Sequence, residues 1–403
     1  MTDVEWRSER LKHVADVAFS SVDKKSVEGQ IAVRLCNYTD VYYNDEITAD
    51  LAFMDATASP DQVRAFGLRA GDVLITKDSE TPDDIGVASF VPETLDRVVC
   101  GYHLGVLRPR KDRIDPRYLF WCMASAYARE QMSVFASGVT RYGLRFGEVA
   151  NLRLAVPDLA RQRSIAKFLD RETARIDDLT EAKRSLIALL SERLSALAAS
   201  RVDTLSPVRV ALRRVVEKFI DYRGATPSTA DEGVPLVTAA DIRNGRVDFT
   251  AERRFLSKDV YRLWMRRGYP EPGDVLLTTE APLGETACVD DANIALAQRV
   301  ILLRAKASLI SNRFLLWYLR SPSAQSELVK RATGSTALGI KADRLRALPI
   351  SVPDRQVQDS IAGELDAEWS RVVGVQVLVA AQIQRLTEHR QALISAAVKG
   401  QAG

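Results

Sequence analysis

Pro157-Asp158-Leu159-Ala160-Arg161-Gln162-Arg163-Ser164-Ile165-Ala166-Lys167-Phe168-Leu169-Asp170 has a near copy later in the chain: Pro353-Asp354-Arg355-Gln356-Val357-Gln358-Asp359-Ser360-Ile361-Ala362-Gly363-Glu364-Leu365-Asp366. The offset is 196 (353 − 157), and 8 of the 14 positions are identical. Downstream it still holds, with Leu190, Glu192, Ala196 and Leu197 mapping to Leu386, Glu388, Ala392 and Leu393. Upstream, Ile114, Arg117, Leu119, Trp121, Ser125, Gly138 and Gly143 map to Ile310, Arg313, Leu315, Trp317, Ser321, Gly334 and Gly339. Further back, Gly71-Asp72-Val73-Leu74 matches Gly273-Asp274-Val275-Leu276 at an offset of 202, so a net six-residue length change (202 − 196) lies in between, as loops permit. The 403 residues are therefore a duplicated pair of modules and not a solenoid of short units.

Composition narrows the class without naming a partner. Hydrophobic residues make up 46% and charged residues 27%, the balance of a soluble globular protein. The net charge of +3, from 56 Lys+Arg and 53 Asp+Glu, announces nothing; a nucleic-acid binder of this composition must group its cations locally. Cys36, Cys100, Cys122 and Cys288 form no C-x-x-C pair, and only His13, His103 and His389 could join them. Neither a zinc site nor a disulfide framework is expected. The polar residues 1–10 do not read as a signal peptide, and the longest apolar stretch, 372–381, is about half of what a bilayer requires. The expectation is a cytoplasmic protein.

Each copy reads as a mixed α/β globular part followed by one long helix. β-rich runs at 72–76, 98–107, 274–278 and 300–303 are bounded by Gly, Pro and Asp. Helices are predicted over 116–135 and 312–331, the second interrupted by Pro322, and Asp158 and Asp354 are placed to cap the long helices. Counting by sevens gives Leu169, Ile176, Lys183, Leu190 and Leu197 in the first long helix, and Leu365, Val372, Val379, Leu386 and Leu393 in the second. Nine of these ten are large aliphatics, the seam of a coiled coil. About 40 residues at about 1.5 Å each make about 60 Å, too long for one small core. The first helix leads almost directly into the second globular part, so the second helix must run back to pair with it. The predicted fold is α+β: two mixed α/β globular parts separated by two long antiparallel coiled-coil helices, in a pseudo-two-fold tandem repeat with both termini near the first part.

Motifs of catalysis are missing. Asp115-Pro116-Arg117-Tyr118 resembles the D-P-P-Y loop of amino-methyltransferases, but the repeat aligns it with Ser311-Asn312-Arg313-Phe314, and a helix start explains both copies. No phosphate-binding Gly-rich loop, H-E-x-x-H or G-x-S-x-G is present, so no catalytic residues and no metal ligands are expected. More telling is divergence inside the repeat. Arg141-Tyr142 aligns with Ala337-Leu338, and Tyr102-His103 with Gln298-Arg299, while the surrounding framework is kept. A constant framework under two different sets of loops is what two different recognition surfaces require. The candidate DNA-contacting residues are Lys77, Arg141, Tyr142 and Arg145 in the first part. In the second they are Tyr222, Arg223, Arg243, Asn244, Thr278, Thr279, Glu280, Arg299, Thr336 and Lys341, side chains of the kinds that reach base edges and phosphates.

The whole chain resembles the specificity subunit of Type I restriction–modification systems. The resemblance is carried by P-D-x-x-x-Q-x-S-I-A-x-x-L-D in both copies, by residues 386–400, by Arg223-Gly224-Ala225-Thr226-Pro227 and by 273–280. It implies two target recognition domains, 1–157 and 204–353, each reading one half of a bipartite DNA sequence. The helices, 158–203 and 354–403, are implied to set the gap between the halves and to dock two methyltransferase subunits, with restriction subunits able to join. A spacer of about 60 Å is under two turns of duplex at about 34 Å per turn. S-adenosylmethionine is expected on the partner methyltransferase, and this chain is expected to be non-catalytic and without a cofactor. A duplicated coiled-coil adaptor binding only protein partners stands as the alternative.

Overall fold

The computed structural model describes residues 6–205, 209–224, 226–249, 253–334 and 337–400. The chain forms two compact units, one of residues 1–183 and 381–403, the other of residues 184–380. Each long helix contributes a segment to both.

The first unit is built on a four-stranded antiparallel sheet. Ala15–Phe19 pairs with Leu104–Pro109, which pairs with Val73–Thr76, which pairs with Ala88–Phe90. A second sheet places Ile31–Cys36 between Met54–Ala58 and a parallel partner, Val98–Cys100. Arg7–Arg10 pairs with Arg153–Val156. The second unit repeats this order. Val216–Asp221, Val300–Ala305, Val275–Thr279 and Leu283–Cys288 form its four-stranded sheet, and Val234–Val237 lies between Phe255–Leu256 and Ala295–Leu296. Arg209–Ala211 pairs with Pro349–Ser351.

The shared residues are the joints of this frame. Gln162, buried, donates to Pro157 O (2.8 Å) and accepts from the Asp115 backbone N–H (2.7 Å), tying the start of the long helix to the preceding loop. Gln358 does the same with Pro353 O (2.8 Å) and Ser311 N–H (2.9 Å). Trp121 and Trp317, almost fully buried, donate their indole N–H to Asp170 (2.8 Å) and Asp366 (2.7 Å). The G-D-V-L aspartates are buried too, Asp72 against Arg108 (3.2 Å) and Asp274 against Arg304 (2.8 Å). A buried polar group is retained only where a partner meets it, which accounts for the identity of Gln, Trp and Asp in both copies.

The helices predicted over 116–135 and 312–331 each prove to be two, Pro116–Ala124 with Ala126–Phe135, and Asn312–Arg320 with Pro322–Arg331. Pro322 is not the cause, since the first copy breaks without a proline. Ser125 and Ser321 stand outside the helical region and cap the following helix, accepting from Ala128 N–H and Ala324 N–H (both 3.3 Å). Asp115 caps Pro116–Ala124 by accepting from Arg117 N–H (3.0 Å) and Tyr118 N–H (3.1 Å), and Ser311 caps its counterpart. Asp115-Pro116 is a helix start.

The long helices are Leu159–Val202 and Arg355–Val398, offset by 196 at both ends (355 − 159; 398 − 202). Within the first unit their segments run antiparallel: Lys183 donates to Gln382 (2.6 Å), and Arg390 pairs with Asp177 (3.0 Å). Within the second, Arg201 forms a bidentate pair with Glu364 (2.7 Å for both bonds), and Gln376 donates to Ser191 (3.0 Å). The heptad residues are the less exposed ones: Leu169, Leu365, Val372 and Val379 are buried, and Ile176, Leu190, Leu197, Leu386 and Leu393 are half-buried. Each segment joins a core, Leu169 and Leu393 that around Trp121, Leu190, Leu197, Leu365 and Val372 that around Trp317. The other seam positions are more polar than the heptad count revealed, with Thr173 and Thr180 on one helix and Gln376 and Arg390 on the other. Both threonines bond their own helix, to Leu169 O (2.7 Å) and Ile176 O (2.8 Å).

Candidate functional site

In both units a glycine-bounded loop folds back against the end of the central strand. In the first, Ser137 bridges Gly143, and Tyr142–Gly143 pairs with Asp78–Ser79. In the second, Thr333 bridges Gly339, and Gly339 bridges Glu280. The loop starts at Gly138 (φ 154°) or Gly334 (φ 136°), where a Cβ would meet Arg141 O at 1.9 Å or Ala337 O at 2.0 Å. Only glycine leaves room for the loop to close on itself.

A second, tight turn faces this loop. The predicted strand over 98–107 is in fact two, Val98–Cys100 and Leu104–Pro109, and Leu104 N–H bonds Gly101 O (3.0 Å) across the break. The break projects Tyr102 and His103. In the second unit Val300 N–H bonds Ala297 O (3.1 Å), and the turn projects Gln298 and Arg299. An acid–base pair results at the same place in each unit. His103 Nδ1 lies 2.8 Å from Asp78, and Arg299 lies 3.6 Å from Glu280.

Around that shared pair the surfaces differ. Lys77 bonds Asp78 (3.1 Å) and lies 4.6 Å from the centroid of the exposed Tyr102 ring. Arg141 approaches His103 at 3.4 Å. Beyond Arg141 a depression of about 840 Å³ is lined by Tyr38, Tyr42, Tyr43, Asp78, Glu80 and Asp84. Tyr38 and Tyr42 stack (5.4 Å, 18°), and Tyr42 OH donates to Asp84 (2.7 Å). That bond, with burial second, pushes the Tyr42 phenol up to about 12. Arg145 begins helix Phe146–Ala150, its N–H donating to Glu148 (3.1 Å). The tyrosines were not among the sequence candidates; their spacing of four and one on helix Tyr38–Tyr43, with Tyr43 exposed, was the available signal.

In the second unit the candidates spread over several environments. Arg299 and Glu280 are half-exposed beside a depression of about 240 Å³ that also takes in Thr226, Gln298 and Arg254. Arg243 and Asn244 are exposed on a hairpin, Ile242–Arg243 with Arg246–Val247, next to a depression of about 400 Å³ that includes Glu285. Lys341 is exposed at the start of helix Ala342–Arg346. Thr278 lies inside the predicted strand and Thr279 ends the observed one, Val275–Thr279, and both are buried. Thr278 Oγ1 accepts from Glu285 N–H (2.9 Å), and Thr279 Oγ1 donates to Arg299 O (3.2 Å). Tyr222 is buried, stacked on Trp264 (5.2 Å), its hydroxyl donating to Gly268 O (3.2 Å). Arg223 is held by Asp221 (2.7 Å) and Ile340 O (2.6 Å). Thr336 lies outside the described residues. The structure thus gathers Lys77, Arg141 and Tyr142 in one unit and Glu280 and Arg299 in the other, and sets Tyr222, Thr278 and Thr279 in the frame beneath.

Among the described residues no group of three or more His, Cys, Asp and Glu is placed to hold a metal ion, and no helix is long and apolar enough to cross a membrane. The four cysteines are free thiols, and burial raises the pKa of each.

Comparison with known proteins gives one consistent result. A family model described as the Type I restriction modification DNA specificity domain matches residues 4–188 and 266–367. The Type I restriction enzyme EcoBI specificity subunit of Escherichia coli is 21% identical over 339 residues, covering 77% of this chain and 69% of its own. The putative type I restriction enzyme MjaX specificity subunit of Methanocaldococcus jannaschii is 19% identical over 381 residues, covering 90% and 86%. Among solved structures, a chain from a study of complex assembly and conformational transition of the type I R-M system has the same fold, with a TM-score of 0.72, 20% identity and 98% of each chain covered.

Proposed function

The chain belongs to the Type I restriction–modification DNA specificity family, and from that premise we propose that each of its two units reads one half of a bipartite DNA target. The reading rests on one observation. The acid–base pair at the strand end recurs in both units, as Asp78–His103 and Glu280–Arg299, under different neighbouring side chains. Lys77, Tyr102 and Arg141 touch it in one unit, and Thr279, Gln298 and Ala337 stand at the matching positions of the other. The kept strand end fixes where each surface meets DNA, while the side chains that differ between the units, His103 against Arg299 among them, meet base edges. The long helices serve as spacer and as the docking face for two methyltransferase subunits, to which restriction subunits add. Exposed Leu186, Leu189, Val377 and Leu378 on the helix segments of the second unit support such a face. The methyl donor, S-adenosylmethionine, belongs to the partner, and this chain acts without a catalytic group of its own, in the cytoplasm.

The test is a pair of single substitutions in the assembled methyltransferase, with methylated adenines mapped across a genome. Arg141→Ala should relax one half-site and Arg299→Ala the other, each costing about 1–3 kcal/mol of discrimination. Binding should also weaken steeply between low and moderate salt. Binding indifferent to salt, with methylation unchanged by both variants, would instead favour a protein-only adaptor.

A further inference from the structure

We propose that the second unit carries a binding site for a small organic anion of the nucleoside-phosphate type, in the cleft between Trp317, Arg320, Trp369 and the hairpin turn at Asn244-Gly245. Arg320 ends helix Asn312–Arg320 with its guanidinium carbon 4.9 Å from the Trp317 ring centroid. Gly245 (φ 84°) packs so closely that a Cβ there would lie 2.0 Å from an Arg320 terminal nitrogen. The guanidinium is clamped between an indole face and a backbone turn, and Trp369 fixes that turn by donating to Asn244 O (3.0 Å). Among the described residues none forms an ion pair or hydrogen bond with Arg320. Burial draws its pKa below the ordinary arginine value, with only Glu285 acting the other way. The guanidinium is half-buried and has no partner on the protein, and an anion brought to it would supply one.

Space for the anion is present. A cavity of about 530 Å³ opens beside Arg320, walled by Trp317, Trp369, Leu316 and Cys288 and edged by Arg246 and Arg313. Arg246 lies 4.3 Å from the Trp369 ring centroid. Asp366, also on the wall, is already engaged by Trp317 and Arg313. The volume is that of a small-molecule pocket, and two arginines over indole rings favour a ligand with a phosphate at one end and a flat body at the other.

The first unit has the same frame but closes this place. Phe90, opposite Val73, corresponds by strand register to Cys288, opposite Val275, and Phe120 corresponds to Leu316. Arg117, the counterpart of Arg313, lies 4.8 Å and 5.0 Å from those two phenyl centroids and pairs with Glu46 (2.7 Å). Ala124 stands where the second unit has Arg320. Two smaller side chains and one added cation turn a filled contact into a cleft.

Isothermal titration of the full chain with adenosine 5′-monophosphate, inorganic phosphate and adenosine tests this. The nucleotide should bind, with phosphate and adenosine each about tenfold weaker or more. Arg320→Met should weaken the nucleotide about tenfold. Cys288→Phe, which refills the cleft as Phe90 does, should abolish binding, and Arg299→Ala should leave it unchanged. Thermal melts check that each variant folds; if Cys288→Phe does not, the exposed Arg246→Ala replaces it, with a loss expected. No heat with the nucleotide at millimolar concentration, or equal binding by Arg320→Met, would overturn the site. Loss in Arg299→Ala with retention in Arg320→Met would assign the binding to the proposed DNA surface and overturn it as well.

Discussion

At the scale of the residue, two features of the candidate surface can be tested without DNA. Gly138 and Gly334 hold backbone that other residues rarely adopt, in contact with the carbonyls of Arg141 and Ala337. Gly138→Ala or Gly334→Ala should each cost about 1–3 kcal/mol, seen as a lowered melting temperature, because a Cβ forces the loop open. Tyr42 offers a pH signature. Its phenol, held by Asp84, is raised from an ordinary 10.0 to about 12. A raised value in the folded state means that the contribution is complete below pH 10 and is lost as pH rises toward 12. The difference in melting temperature between wild type and Tyr42→Phe should therefore shrink across that window; a constant difference would show that the Asp84 bond is not formed. Residue identity made Arg141 and Arg299 legible as candidates, but Tyr222, Thr278 and Thr279 show the limit of that reading. The same side chains that can contact a base also satisfy a buried frame, and only burial separates the two uses.

At the scale of the element, the long helices were the most legible part of the chain. A seven-residue aliphatic repeat is a local property, and Leu169, Leu365, Val372 and Val379 are buried where it put them. Leu169→Ala and Leu365→Ala should each destabilise by about 2–5 kcal/mol, since both are fully buried in cores that include the sheet units; denaturant midpoints measure this. The polar half of the seam was not legible. Thr173, Thr180, Gln376 and Arg390 look like surface residues until the partner segment is placed. The split of helix 116–135 at Ser125 was equally hidden, because a serine reads as helix or cap according to what packs beside it.

At the scale of the whole molecule, duplication is the organising fact. Two sheets recur in the same strand order in both units although, Gly71–Leu74 apart, the strands before residue 110 share little sequence with those of the second copy. What recurs most fully in the sequence is the set of joints, Gln162 and Gln358, Trp121 and Trp317, Asp170 and Asp366, which make the same hydrogen bonds in both units. If the helices are the spacer of the proposed reading, insertion or deletion within 180–200 should change the gap between half-sites and leave both half-sites as they were. Methylation mapping of such variants is the measurement, and altered half-sites would count against the spacer role.

The sequence by itself determined the repeat, the α+β class, the long coiled-coil helices and the family, because periodicity and motif spacing are written in neighbouring residues. Only the tertiary structure decided which distant side chains meet. His103 reaches Asp78, Arg299 reaches Glu280, and Arg320 comes to rest against Gly245. Each of these contacts is made across strands and turns far apart in the chain, where charge, burial and available volume are set by the packing and by no local pattern.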